Sequence, residues 1–415
     1  MCSNYKIDSS FFKSISVICA LIVPLLVTGS FLPDLLVSLL SLWFIYYSIK
    51  NNLYKIYKNK YFLYFISFCL VCILSSIMSE DIFYSLKNSL FYFRIGIFAL
   101  LISFLISRNI KILDYFYLSF FVTFSFLVID GYTQYFTGFN ILGYQISGIR
   151  VSSFFRDELI LGSYLSRLFP LFFALFVLRN NKSKLEIFFV SILFIAIDVL
   201  IFLSGERAAF FLLNLSTLFI IIFISEYKWL RLIIFMISFL IITLIISNSP
   251  KLYSRYVESP IKSMGIAGGT DKKMFTESHD ALIRGAFKMF LDKPLLGHGP
   301  KMFRVKCNDK KYFSKDFKCH PHPHNFYAQL LAETGILGFC FLLGLLLYFI
   351  FLMMKHVLIF IKYKKKWLSD YQICLLAGLL ITIWPLTTTG SIFTNKLMLF
   401  YGLQMGFFKI EKKKI

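Results

Sequence analysis

The run Cys319-His320-Pro321-His322-Pro323-His324-Asn325-Phe326-Tyr327 marks where this chain passes from water into hydrocarbon. It closes the one long polar interval, Asn248 to Asn325, of an otherwise apolar sequence. Five of the six histidines, His279, His298, His320, His322 and His324, fall inside that interval. Hydrophobic residues make up 58% of the 415 and charged residues only 16%, where a soluble domain carries about a quarter charged. Mean hydropathy is +0.72. Apolar runs near 14–28, 32–48, 61–78, 91–106, 115–129, 159–178, 185–203, 208–224, 232–246, 330–354, 372–387 and 393–408 approach or reach the length that crosses a bilayer. They do not alternate apolar with polar residues, which argues against a transmembrane β-barrel. The expected fold is all-α: a polytopic integral membrane protein of about twelve spans.

The net charge of +22 comes from 44 Lys and Arg against 22 Asp and Glu. In a soluble protein such a surplus suggests nucleic acid. Here it sorts onto one side of the spans, so no nucleic-acid partner is expected. With the N-terminus inside, the basic loops at 50–60, 108–111, 179–184, 228–231 and 355–366, and the basic tail, face the cytoplasm. The loops at 29–33, 79–90, 130–158, 204–207, 248–325 and 388–392 face outward. The expected organisation is spans 1–9 over 1–247, a large extracytoplasmic loop over 248–325 (periplasmic in a double-membrane bacterium), and spans 10–12 with a basic cytoplasmic tail over 326–415. The first apolar run lacks a small-residue cleavage site and more spans follow, so no cleavable signal peptide is expected. Of the eight cysteines, Cys307 and Cys319 lie in the long loop and could form a disulfide in an oxidising compartment.

Three candidate sites fall on the outer side. Arg207 follows Ser204-Gly205-Glu206 where one span ends and the next begins. A guanidinium there can snorkel or pair with Glu206, or it can grip phosphate oxygens with its two-pronged donor edge. Arg284 lies in a segment whose apolar residues at 283, 286, 287 and 290 predict a helix, ended by Pro294 and the turn Gly297-His298-Gly299-Pro300. It is either a solvated surface cation or a second anion ligand. In the histidine run, Pro321 and Pro323 force extended backbone. His320, His322 and His324 could hold a metal with Cys307 or Cys319, but no carboxylate stands beside them in the run. Alternatively His324, fixed where Asn325 opens a helix, serves as a general base, or it is only a hydrogen-bonded neighbour of a capping Asn. Arg150, Arg156 and Arg167 could extend the basic pocket. Two arginines and a histidine on one membrane face suggest gripping a lipid-linked phosphate while activating a hydroxyl.

The run His324-Asn325-Phe326-Tyr327-Ala328-Gln329-Leu330-Leu331-Ala332-Glu333-Thr334-Gly335-Ile336-Leu337-Gly338 resembles the signature of the O-antigen ligase and polymerase superfamily. Arg284 through Pro294-Leu295-Leu296-Gly297-His298-Gly299 resembles its upstream half, and Ser204-Gly205-Glu206-Arg207-Ala208 its Ser/Thr-x-x-Arg site. The resemblance implies a GT-C-like membrane glycosyltransferase of the bacterial inner membrane. Its donor would be an undecaprenyl-pyrophosphate glycan and its acceptor, in the ligase branch, a sugar hydroxyl of lipid A-core. Arg207 and Arg284 would engage the pyrophosphate and His324 would activate the acceptor. Arg150, Arg156 and Asn325 are counted as further substrate contacts, with no metal or other cofactor. His320 and His322 depart from the pattern and leave open which imidazole is the base. A polymerase with the same donor is the alternative, kept alive by the 130–158 loop. A protein glycan transferase, a transporter, and a zinc hydrolase drawing on Asp280 or Asp316 are the other readings.

Overall fold

A computed structural model describes residues 9–109, 111–263, 277–313 and 319–408. Asp316 and the basic tail beyond Phe408 lie outside the described residues. The principal helices are α1 (Ser9–Ala20), α2 (Phe31–Lys50), α3 (Lys60–Ile77), α4 (Phe93–Arg108), α5 (Ile112–Thr137), α6 (Leu161–Leu178), α7 (Lys184–Leu203), α8 (Arg207–Phe223), α9 (Lys228–Ser247), α10 (Glu277–Asp292), α11 (Phe326–Tyr363), α12 (Asp370–Thr382) and α13 (Asn395–Phe407). Each expected span falls on one of these, and α10 is the helix expected inside the polar interval. Among the described residues, β-structure is confined to the isolated bridges Phe139–Gln145 and Ser147–Arg150.

Among the described residues seven helices, α2, α3, α5, α6, α7, α9 and α11, are long and apolar enough to cross a membrane. The helices at the remaining expected positions are shorter; α12 and α13 have 13 residues each. Both are cut short because 383–387 and 393–394, read as span ends flanking an outward loop at 388–392, belong with that loop to one irregular connection folded back into the bundle, with Ile392 and Phe393 buried. Its backbone is satisfied from inside: Ile392 N donates to Gln329 Oε1 at 3.0 Å and Thr389 N to the His324 carbonyl at 2.8 Å. Irregular backbone is tolerated in such a place only when protein supplies its partners.

Small residues set the closest helix contacts. A Cβ on Gly402 would lie 2.5 Å from the Ile95 side chain, and one on Gly406 would lie 2.9 Å from Ile102, so α13 rests directly on α4 through glycines one turn apart. α6 runs through the centre with nearly every side chain buried. Deep in the bundle Arg231 of α9 meets Asp198 of α7 with two hydrogen bonds, at 2.7 and 3.1 Å, and donates a third to Thr217 of α8. The outward faces are apolar: Leu42, Leu118, Phe126, Leu240, Phe351 and Leu358 are each more than half exposed, a surface suited to lipid.

One joint decides where the polar interval sits. α11 bends at Gly335 (φ 62°, ψ −162°), a conformation open essentially to glycine alone. The bend frees backbone groups, and Pro294–Gly299 takes them up. His298 N donates to the Ala332 carbonyl at 3.0 Å, Gly299 N to the Glu333 carbonyl at 2.8 Å, and Ile336 N to the Pro294 carbonyl at 2.8 Å. The approach is so close that a Cβ on Gly335 would lie 2.4 Å from the Leu295 carbonyl, and one on Gly297 would lie 2.5 Å from Glu333 backbone. Glu333, fully buried, accepts from Phe303 N and from Gln329 Nε2, both at 2.9 Å. Gly335→Ala is therefore expected to cost about 1–3 kcal/mol from backbone strain alone. Thermal unfolding of the detergent-solubilised protein checks this; an unchanged midpoint would refute the account of the joint.

Candidate active site

The turn between α7 and α8 is built by charges pointing in different directions. Gly205 adopts φ 69°, which turns the chain sharply. Arg150, from the loop after α5, donates Nε to the Ser204 carbonyl and Nη2 to the Leu159 carbonyl, each at 3.2 Å. Arg255, from the helical stretch after α9, donates Nε and Nη2 to the Gly205 carbonyl at 2.8 and 2.5 Å. Glu206 turns inward. It accepts from Gly162 N at 2.7 Å and from Ser163 Oγ at 2.5 Å, capping the start of α6. It is therefore not the ion-pair partner of Arg207. Arg207 is exposed and makes no hydrogen bond or ion pair among the described residues. Three guanidiniums thus gather at this turn, Arg255 within electrostatic reach of both Arg150 and Arg207, and two of them are held by carbonyl oxygens that do not cancel their charge. Arg255 comes from a stretch with no motif, and only the fold brings it here.

The other expected arginines are placed differently. Arg156 is exposed in a left-handed backbone conformation, its guanidinium 5.5 Å from the Tyr144 ring centroid. Arg167 is buried within α6; its Nη1 reaches the Ser163 carbonyl at 3.3 Å and its Nε has no partner. Arg284 lies on the outward face of α10, 72% exposed and ion-paired to Asp280 at 2.8 Å. The apolar side of α10, Leu282, Ala286 and Met289, packs against Ala328 and Ala332 of α11.

That packing carries His279, at the start of α10, to the histidine run. The His279 and His324 rings meet edge to face with centroids 5.3 Å apart; His320 lies 5.6 Å and His322 4.2 Å from His324. His324 has φ 53°, uncommon for a residue with a side chain, and its carbonyl is held by Thr389 N. Asn325, expected among the substrate contacts, is occupied as the cap of α11. Its Oδ1 accepts from Tyr327 N and Ala328 N, and its Nδ2 donates to the Pro385 carbonyl at 2.8 Å. His298 belongs to the joint instead, buried with Nε2 3.1 Å from the Met289 carbonyl. Cys307 and Cys319 are joined in a disulfide, which fastens the residue before His320 to the small core under α10. Among the described residues no three His, Cys, Asp or Glu side chains form a metal-binding set.

Burial, then the neighbouring His279 and His320, pushes His324 down from 6.5 to about 4. Burial followed by His324 pushes His322 down to about 3. His279 is lowered by burial, His320 and Arg207, which puts it within the electrostatic reach of the arginine turn. All three are neutral near pH 7, with a lone pair available.

The class defined so far is a helical membrane protein with a cationic turn and a cluster of neutral imidazoles near one another. Residues 187–343, from α7 to beyond the Gly335 bend, match the family described as O-antigen ligase. The match covers less than half of the chain; seven helices among the described residues are long and apolar enough to cross a membrane, which suits a multi-pass membrane protein. No curated protein matches this chain.

Two outcomes are expected. The fold disfavours the imidazolium of His324, so site stability is lost as pH falls from 6.5 toward about 4, while activity is lost only around pH 4, where the folded imidazole itself takes a proton. A profile of kcat/KM for the donor, which reports the empty site, with its acid-limb midpoint near 6.5 would point away from His324. Opening the disulfide by Cys319→Ser is expected to cost about 2–4 kcal/mol and to lower transfer; equal melting and equal activity with and without reductant would show that the link does not hold the histidines.

Proposed function

We propose that this protein is an O-antigen ligase, an inverting glycosyltransferase that moves a glycan from undecaprenyl pyrophosphate to a sugar hydroxyl of lipid A-core. The observation that carries this reading is Arg207: a cation with no partner among the described residues, backed by Arg150 and Arg255, within electrostatic reach of a histidine that touches His324. The acceptor oxygen attacks the anomeric carbon as His324 Nε2 or Nδ1 takes its proton, and the bond from that carbon to the phosphate oxygen breaks with its electrons passing to the diphosphate. Guanidiniums already in place stabilise the charge that grows on that leaving group without reorganising. Arg284 joins them by exchanging Asp280 for a phosphate oxygen, a small cost because an exposed ion pair contributes at most about 1 kcal/mol. Arg156 lines the outer rim, and Asn325 positions His324 by capping α11. The chemistry calls for no metal and no other cofactor.

The site sits on the periplasmic face of a GT-C-like bundle in the inner membrane, with 248–325 as the large loop between spans 9 and 10. The basic loops at the opposite helix ends favour that orientation. The polymerase reading has one observation on its side, since the 130–158 loop supplies Arg150 to the Arg207 turn. In vitro transfer separates the two. Purified protein with EDTA, undecaprenyl-pyrophosphate-linked repeat units and lipid A-core is expected to yield core-linked glycan; longer lipid-linked glycan with untouched core would make it a polymerase. Arg207→Ala and His324→Ala are each expected to lower the rate by about 100-fold or more while the protein still inserts, and Arg284→Ala by a smaller factor. Full activity in all three would sink the site assignment.

A further inference from the structure

Three imidazoles surround His324, and their surroundings differ. His322 is the nearest, but its Nε2 is buried and faces no partner among the described residues, so a proton passed to it has nowhere to go. His320 stands beside it on the same loop. His279 comes from a different element, is half-buried, and feels Arg207 directly. It therefore touches the proposed base and lies within electrostatic reach of the proposed diphosphate ligand.

We propose that His279 is a proton relay that carries the acceptor proton from His324 to the leaving diphosphate. This rests on the ligase reading of the same site and extends it. The balance is complete within the reaction. The acceptor O–H bond breaks and its proton goes to His324; the acceptor oxygen bonds to the anomeric carbon; the carbon–oxygen bond to phosphate breaks and its electron pair stays on the diphosphate. His324 then passes its proton to one nitrogen of His279 while the other releases a proton to a diphosphate oxygen. Both imidazoles return to the neutral state, and no outside acid or base is consumed. An imidazole suits the task because it has a donor and an acceptor on opposite sides of one ring. Its placement also fits the energetics. Among the groups that act on His279 are His320 from the loop and Arg207 from α8, and its ring meets His324, while Asp280 and Arg284 follow it on its own helix. The cationic side of that set keeps a proton from resting there.

The test uses the full-length enzyme with undecaprenyl-pyrophosphate-linked repeat units and lipid A-core. His279→Ala is expected to lower kcat by roughly ten- to a hundred-fold, with donor KM within about two-fold, and to distort the pH profile of kcat. Added imidazole should restore part of the rate. His279→Gln keeps a hydrogen-bonding side chain of similar reach but cannot relay a proton, and it should be as impaired as the alanine variant. A glutamine variant at wild-type rate would reduce His279 to a packing or hydrogen-bonding residue and overturn the relay. So would an alanine variant changed only in donor KM. His324→Ala run alongside separates the two claims: an active His324→Ala overturns the base assignment and the relay with it, whereas a dead His324→Ala beside an unimpaired His279→Ala overturns the relay alone.

Discussion

A carboxylate shut away from water must find its hydrogen bonds inside the fold or give up its charge, and Glu333 finds them at the one place where three distant segments meet. It accepts from Phe303 N in the polar interval and from Gln329 on its own helix. Gln329 in turn donates to Ser391 Oγ and accepts from Ile392 N, in the connection between α12 and α13. One buried network therefore ties the loop, the bent helix and the re-entering segment. The histidine run is held between two parts of it: the disulfide and α10 on one side, the capped start of α11 on the other. The bend at Gly335 is what lets Pro294–Gly299 reach the network at all, since a straight helix would have kept those backbone groups for itself. Such a network is worth most when complete, and a half-satisfied version would be worse than an apolar contact.

The arginines show how differently one side chain can be used. Arg231 is matched by Asp198 inside the bundle, and the pair is neutral as a unit. Arg284 is matched by Asp280 in water, where the pairing is weak. At the α7–α8 turn the matching is withheld. Arg150 and Arg255 spend their donors on carbonyl oxygens, Glu206 is drawn away to cap α6, and Arg207 is left facing out. Holding cations with neutral acceptors fixes their positions while leaving their field intact, which is what a site for an incoming anion requires.

Much of this was legible beforehand. Runs of apolar residues located the helices because the 20-residue length and the absence of alternation leave few other readings. Gly205, Gly297 and Gly335 stood in motifs, and in the structure each occupies a backbone conformation or a contact that a side chain would obstruct. What could not be read were partnerships between distant segments. Arg255 and His279 carry no local signal and matter only because the chain returns them to Arg207 and His324. Glu206 looked like the natural partner of Arg207, being its neighbour, yet adjacent residues at a helix start point apart. Asn325 sat in the right motif, and capping claimed its amide. The lengths of α12 and α13 were overestimated at their facing ends, because the apolar residues Ile383, Trp384, Leu386 and Phe393 on either side of the 388–392 loop were counted into the spans; Pro385 and buried polar partners, rather than hydropathy, decide the shape of Ile383–Thr394.

The low basicity of His324 looks ill-suited to a general base until the charge of the donor is included. Burial and neighbouring imidazoles disfavour the imidazolium in the empty site. On the proposed reading, a diphosphate held by Arg207 brings negative charge next to His279 and, through it, near His324. An anion at that distance favours the protonated form of each ring and raises its basicity toward the ordinary range. The histidine would then be neutral and weakly basic when the site is empty, and a stronger base once the donor is in place. The same anion that the arginines bind would complete the base, which ties proton removal from the acceptor to occupancy of the donor site and leaves little tendency to activate a hydroxyl with no glycan to receive it.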